Sequence, residues 1–99
     1  ASIFPGCNHA EKISGDSMYP LICNQAFLIG KIIDKRGLIW GEKYIIHTQY
    51  GQSMVKYVHP SEKEKHIKIV SHNKTIPSQD LPMDDITFVC RVHYIVNPS

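Results

Sequence analysis

The 99-residue sequence lacks a long hydrophobic run, a block of one charge sign and a basic cluster. No stretch approaches the roughly 20 apolar residues that a membrane-spanning helix needs, so we expect no membrane partner. Lys and Arg number 11 against 9 Asp and Glu, which leaves a net charge of only +2. Because no Lys/Arg stripe is available for phosphate contacts, this segment is not expected to bind DNA by itself.

Cysteine is also scarce, and its spacing is uninformative. The three residues are Cys7, Cys23 and Cys90, without any C-x-x-C pair. An odd number in this arrangement argues against a disulfide framework and against a zinc site. We therefore interpret them as reduced thiols of a cytoplasmic protein, and no signal peptide contradicts that interpretation.

The sequence is rich in patterns that are typical of β-strands. Five segments show the apolar runs or the alternation typical of strands, namely 26–33, 43–50, 53–59, 66–70 and 86–96. Gly51 and Gln52 predict a hairpin between the second and third of them. Residues 1–13 look irregular, and no segment keeps helical spacing. We predict one mostly-β domain over residues 1–99, built from strongly bent antiparallel sheets or a partial barrel.

Ser17 is the first candidate for chemistry. It follows Gly15 and precedes Pro20, which prevents a long regular element at this point. A tight turn of this kind can expose a hydroxyl and leave backbone N–H groups free, as a nucleophile with an oxyanion hole requires. Taken alone, the same pattern is also typical of a turn or cap serine without a chemical role.

The histidines offer no obvious base for that serine. The six are scattered, and none forms a local motif with an acidic residue: His9, His47, His59, His66, His72 and His93. His47 and His59 lie on the two strands of the predicted hairpin and could meet there. Two imidazoles are nevertheless too few for a metal site, so we expect no metal.

Lys56 is the stronger candidate because it lies inside an apolar strand, next to Val55 and Tyr57. Strand lysines usually point to solvent, which is the alternative interpretation for this one. A desolvated ammonium loses basicity. Lowering a lysine pKa from about 10.4 to about 7 requires about 4–5 kcal/mol. A neutral Lys56 amine beside Ser17 could accept its proton, as in serine–lysine variants of the serine triad.

Three segments resemble signatures of the LexA-like peptidases and phage-repressor C-terminal domains. Residues 13–20 (ISGDSMYP) resemble the segment around the nucleophile of that family, with a glycine before Ser-Met and a proline two places after it. Residues 54–58 (MVKYV) resemble the strand that bears the catalytic lysine, at a separation from Ser17 that suits the family. Residues 71–73 resemble a third family feature, a serine and an asparagine two apart. The resemblance covers nearly the whole chain.

The resemblance implies a domain of the LexA C-terminal type with serine peptidase activity. Ser17 would be the nucleophile and Lys56 the general base, with the backbone N–H groups of Asp16 and Ser17 as the oxyanion hole and no metal or organic cofactor. The parent protein would be a cytoplasmic repressor that contacts DNA through a separate N-terminal helix-turn-helix domain. This domain would form a homodimer and cleave the parent's own linker, with a recombinase filament as co-protease in an SOS-type response.

Two departures from the family pattern keep other functions open. Asn24-Gln25-Ala26 stands where many relatives have Asn-Gly-Asp or Asp-Gly-Asp. Relatives that cleave themselves carry Ala-Gly or Cys-Gly upstream of the nucleophile, whereas this sequence has only Gly6-Cys7, so the scissile bond is expected before Ala1 or is absent. One alternative is therefore a dimerisation and regulatory domain without proteolysis. The other is a signal-peptidase-like enzyme, which the lack of a membrane anchor disfavours.

Overall fold

The computed structural model of the chain describes residues 4–99, whose framework is antiparallel β-structure. The strands are β1 (His9–Lys12), β2 (Phe27–Ile33), β3 (Lys43–Thr48), β4 (Ser53–Pro60), β5 (His66–Val70), β6 (Gln79–Pro82) and β7 (Ile86–Val96). Two short 3-10 helices, Lys35–Gly37 and Met83–Asp85, precede β3 and β7, and residues 4–99 contain no α-helix. The mostly-β prediction is confirmed. No helix in the described residues is long and apolar enough to cross a bilayer.

All seven strands belong to one sheet, in the order β1-β2-β7-β3-β4-β5-β6. β1 and β6 form its edges, so the sheet is not closed into a barrel, and how strongly it is bent stays a prediction. The longest strand, β7, pairs with β2 and β3, and its register with β2 shifts between Ile29 and Gly30. A Cβ at Gly30 would lie 1.9 Å from the carbonyl oxygen of Arg91, so only glycine permits this close approach.

The two edge strands are not predicted by the sequence patterns. β1 lies inside the segment 1–13 that we expect to be irregular, and that prediction is wrong for His9–Lys12, while residues 1–3 lie outside the described part of the chain. β1 carries a single apolar side chain, Ala10, and forms because it pairs with β2. β6 is similarly polar and ends in Pro82, which an edge strand tolerates.

Apolar side chains cover both faces of the central strands. Ile45 and Val55 are cross-strand partners on β3 and β4 and belong to the first core cluster. Tyr44 and Ile46, at the alternate positions of β3, belong to a second core cluster. Its other members are Val58, Ile67, Ile69, Ile86 and Val89. The first core cluster consists of Ile13, Met18, Ile22, Ala26, Leu28, Ile45, Val55 and Cys90. Because β3 is covered on both faces, residues 44–46 are fully buried.

The segment between β1 and β2, which carries Ser17, is held against the first core cluster. Met18 is buried in that cluster, directly after the partly exposed Ser17. The base of the segment is closed by hydrogen bonds in which Ile13 N–H donates to the Ala26 carbonyl and Gln25 N–H donates to the Ile13 carbonyl, each at 2.9 Å. The fold therefore fixes both ends of the loop and its apolar side.

Candidate active site

Ser17 lies in a tight turn between the exposed Asp16 and the buried Met18. The Tyr19 N–H donates to the Asp16 carbonyl at 3.1 Å, and the Ile22 N–H donates to the Met18 carbonyl at 2.9 Å. Within residues 4–99, no acceptor is bonded to the backbone N–H groups of Asp16 and Ser17. The turn thus combines a partly exposed hydroxyl with free donors, which an acyl-transfer site requires.

Asn24 fixes the backbone just before the serine turn. Its Oδ1 accepts a hydrogen bond from the Gly15 N–H at 2.8 Å. Gly15 has φ +104°, a conformation that side-chain-bearing residues rarely adopt. The altered Asn24-Gln25-Ala26 turn therefore still contacts the serine segment, through an amide oxygen. Sequence reasoning singles out this turn as a departure and does not predict that it supports the site.

Lys56 is half-buried in β4, and its amine is held by a second serine. The Lys56 Nζ donates to the Oγ of Ser71 at 2.8 Å, and Ser71, directly after β5, is only 3% exposed. Lys56 and Ser71 also border a small cavity of about 50 Å³. Burial lowers the pKa of Lys56 below its usual value. That is the direction that a general base needs.

The segment 71–73 contacts both predicted site residues. The Asn73 N–H donates to the carbonyl of Ser17 at 2.9 Å. Two positions earlier, the Ser71 hydroxyl holds the Lys56 amine. The serine–asparagine feature that resembles the family therefore lies between the Ser17 turn and β4, and it ties them together through backbone and side-chain hydrogen bonds.

The side chains of Ser17 and Lys56 are not joined by a hydrogen bond in this structure. In the part of the chain from residue 4 onward, the Lys56 amine is bonded to Ser71, and the Ser17 hydroxyl has no hydrogen-bonded partner. Proton transfer between them would therefore require the amine to approach the Ser17 hydroxyl more closely. The serine–lysine dyad stays a prediction.

An open groove of about 710 Å³ begins beside the serine turn. Tyr19 and Pro20 line it together with Tyr57 and His72, whose phenol oxygen and Nδ1 are hydrogen-bonded at 2.8 Å. Lys56 does not line this groove but the separate small cavity. Sequence patterns do not place Tyr57 and His72 at a groove, because their meeting depends on how β4 and the segment after β5 pack.

The remaining histidines are placed differently from the expectation. His47 and His59 do not meet: His59 borders the groove, whereas His47 contacts Glu11 and His9. His9 and Glu11 are two positions apart on β1, whereas His47 is distant in the sequence, so folding brings the third residue to the pair.

Fold and site together define a mostly-β domain in which a turn serine and a desolvated lysine are both held by one serine–asparagine segment. The family model described as Peptidase S24-like matches residues 3–93. The chain therefore belongs to the S24-like peptidase family, the family of the LexA-like and phage-repressor C-terminal domains. A search of curated proteins gives no significant match.

Proposed function

We propose that this domain is a serine endopeptidase in which Ser17 is the nucleophile and Lys56 the general base. The observation that carries the proposal is the contact of the segment 71–73 with both the Ser17 turn and the Lys56 amine. Ser71 is the other serine near Lys56 that could be considered as the nucleophile. However, the residue is only 3% exposed, so its hydroxyl cannot reach a substrate carbonyl. Ser17 is partly exposed and lies at free backbone donors, which supports its assignment.

The proposed mechanism is acyl transfer in which the Lys56 amine carries the proton in each step. The neutral Lys56 amine approaches Ser17 and accepts its proton. The Ser17 Oγ then attacks the substrate carbonyl carbon. The backbone N–H groups of Asp16 and Ser17 stabilise the resulting oxyanion. The Lys56 ammonium then gives its proton to the leaving amine as the peptide bond breaks. Water, deprotonated by the same amine, hydrolyses the acyl-enzyme and restores the Ser17 hydroxyl.

The proposed substrate is the linker of the domain's own parent protein. By resemblance, the parent is a cytoplasmic repressor with an N-terminal DNA-binding domain, and this domain forms a homodimer that helps it bind two half-sites. Cleavage would separate the two parts and weaken operator binding. A recombinase filament is the proposed trigger, as in an SOS-type response.

A serine-directed fluorophosphonate tests the chemistry on this chain alone. We expect a single adduct at Ser17, located by peptide mapping, and absent in Ser17→Ala. Lys56→Met should slow labelling by about a hundredfold or more, because the general base is lost. Ser14→Ala, which removes an exposed hydroxyl of the same loop, should label like the parent chain. An adduct at another serine, or labelling that Lys56→Met leaves unchanged, would refute the dyad.

A second candidate function is a dimerisation and regulatory domain without proteolysis. The observation that favours it is that the Lys56 amine is hydrogen-bonded to Ser71 and not to Ser17 in this structure. The full-length parent discriminates between the two functions when it is incubated at alkaline pH, with and without a recombinase filament. Fragments that disappear in Ser17→Ala and Lys56→Ala support the peptidase. A parent that stays intact in both conditions supports the regulatory domain.

A further inference from the structure

Two histidines and a glutamate from separate parts of the chain converge on the sheet. The Nε2 atoms of His9 and His47 lie 2.8 Å and 2.7 Å from the same oxygen, Oε1 of Glu11. The candidate ligand atoms of the three residues all lie within 4.8 Å of one another. β1, which carries His9 and Glu11, is separated from β3 by β2 and β7 in the sheet, so tertiary folding creates this cluster.

Neighbouring side chains hold the three residues in position. The Phe88 ring stacks on His47 with a centroid distance of 4.2 Å and meets His9 edge-on at 5.7 Å. The Ser53 hydroxyl donates to the other carboxylate oxygen of Glu11. The side chains of His9, Glu11 and His47 are 23%, 17% and 25% exposed, so they are shielded but still reachable from solvent. Outer partners of this kind orient metal ligands.

We propose that His9, Glu11 and His47 form a binding site for a divalent transition-metal ion of the Zn²⁺ class. Two imidazole nitrogens and one carboxylate oxygen are a ligand set that Zn²⁺ uses in proteins, with a fourth position for water. Tetrahedral ligands at about 2.0–2.2 Å from the ion lie about 3.3–3.6 Å apart. That spacing falls between the 2.7 Å contact and the 4.8 Å limit of this cluster, so small side-chain movements suffice.

The protonation states of the cluster are compatible with a cation. Burial raises the pKa of Glu11, but hydrogen bonds from Ser53, His9 and His47 outweigh it and bring the pKa below its usual value. In the metal-free cluster each Nε2–H donates to the Glu11 carboxylate. With its proton on Nδ1 instead, each imidazole would offer the Nε2 lone pair to the ion. The ion would replace the protons shared between rings and carboxylate. Cys90 is not one of the residues whose candidate ligand atoms converge here, so the ligand set is His9, Glu11 and His47.

A metal ion bound at this site would connect the edge strand β1 to β3, which lies in the middle of the sheet. Because β1 leads directly into the serine loop, the bound ion would restrain the loop's first residues. The site uses neither Ser17 nor Lys56, so this proposal does not depend on the proposed peptidase function.

Zinc binding to the tag-free, chelator-treated domain tests the site. We expect one Zn²⁺ per chain by elemental analysis after dialysis, and a melting temperature that rises with ZnCl₂ concentration because the ion binds the folded state. His47→Ala and Glu11→Gln should each weaken Zn²⁺ affinity at least about tenfold, as measured with a competing metal indicator. Ser53→Ala should weaken it by about 10- to 100-fold, because it frees one oxygen of the carboxylate ligand.

Matched controls separate this site from adventitious surface binding. His93→Ala removes an exposed histidine and His59→Ala removes a histidine of the groove, and both should bind Zn²⁺ like the parent chain. Co²⁺ gives a readout on the unsubstituted chain, namely the intense visible bands of a tetrahedral ion, which should disappear on addition of Zn²⁺. Less than about half an ion per chain, or affinity lost in His59→Ala but kept in His47→Ala, overturns the assignment.

Discussion

The hydrogen bond between Lys56 and Ser71 gives the lysine amine a fixed partner inside the fold. A long flexible side chain loses rotamer freedom when it is held, so an amine that is already ordered has less entropy to lose on meeting Ser17. The Ser71 hydroxyl can accept from the ammonium at the 2.8 Å distance and can donate to the neutral amine. In the proposed peptidase, Ser71 is therefore a positioning residue that acts through Lys56.

Ser71→Ala should lower the rate of Ser17 labelling by about 10- to 100-fold, because a misplaced base costs about that much. It should also move the midpoint of the pH–rate profile to lower pH, since the ammonium loses a hydrogen-bond acceptor. Ser71→Thr, which keeps the hydroxyl, should restore most of the rate. Ser78→Ala is the control for removal of a hydroxyl from the same connection. If the pH profile stays unchanged in Ser71→Ala, Ser71 only contributes to packing and does not act through Lys56.

The pH dependence of labelling should report the ionisation of Lys56. Only the neutral amine accepts a proton, so the rate should rise about tenfold per pH unit and level off above the pKa of Lys56. Because burial lowers that pKa, levelling should begin below the value of about 10.4 that an exposed lysine would give. Rates measured across the alkaline range locate the midpoint. A midpoint at the exposed-lysine value, or the same profile in Lys56→Met, is the contrary result.

At the scale of elements, buried strands could be predicted from the sequence and edge strands could not. The bounds of β5 and β7 agree with the prediction, and β2, β3 and β4 differ from it by one or two residues at an end. Buried strands require apolar side chains, and these produce a recognisable pattern in the sequence. β1 and β6 pair along one side only, so backbone hydrogen bonds to β2 and β5 define them without an apolar pattern.

The candidate site likewise contains residues that could be predicted from the sequence and residues that could not. Ser17 and Lys56 could be proposed because each lies in a segment with a recognisable pattern. The roles of Ser71 and Asn24 could not be predicted, because they depend on hydrogen bonds between segments that are distant along the chain. For the metal cluster a signal does exist: residues i and i+2 of a strand share a face, so a strand at His9–Lys12 would have placed His9 and Glu11 together.

Gly30→Ala should destabilise the pairing of β2 with β7. The added Cβ would lie 1.9 Å from the Arg91 carbonyl oxygen, a backbone atom that cannot move without shifting the strand. We expect a loss of about 3 kcal/mol or more in the free energy of unfolding, measured with urea. Gly37→Ala is the matched control, because its Cβ would meet no atom within 4 Å and no unusual φ is required. Equal stability of the two variants would contradict the close approach.

At the scale of the whole molecule, one exposed face of the sheet carries large apolar side chains. Phe27 and Val96 are cross-strand partners on β2 and β7, and Tyr94 lies two residues before Val96. All three are exposed, while the intervening Ile95 packs against the first core cluster on the opposite face. Exposed apolar groups that adjoin one another mark association surfaces, so this face is where we place the proposed homodimer contact.

If the proposed homodimer uses this face, Tyr94→Glu should shift it from dimer to monomer, because a charge would be buried in an apolar contact. Sedimentation velocity over a range of concentrations measures the change. Tyr50→Glu alters an even more exposed tyrosine in the β3–β4 turn and should sediment like the parent chain. A dimer that survives in Tyr94→Glu and dissociates in Tyr50→Glu would move the contact to the hairpin turn.

The residue after β7, Asn97, holds the chain that follows Ser17. Its Oδ1 accepts from the Cys23 N–H at 2.9 Å and its Nδ2 donates to the Leu21 carbonyl at 3.2 Å. A second subunit docked on Tyr94 would therefore press on the same strand end that restrains the Ser17 loop. Quaternary structure and nucleophile alignment would then be mechanically coupled, and dilution alone would be able to loosen the reactive centre.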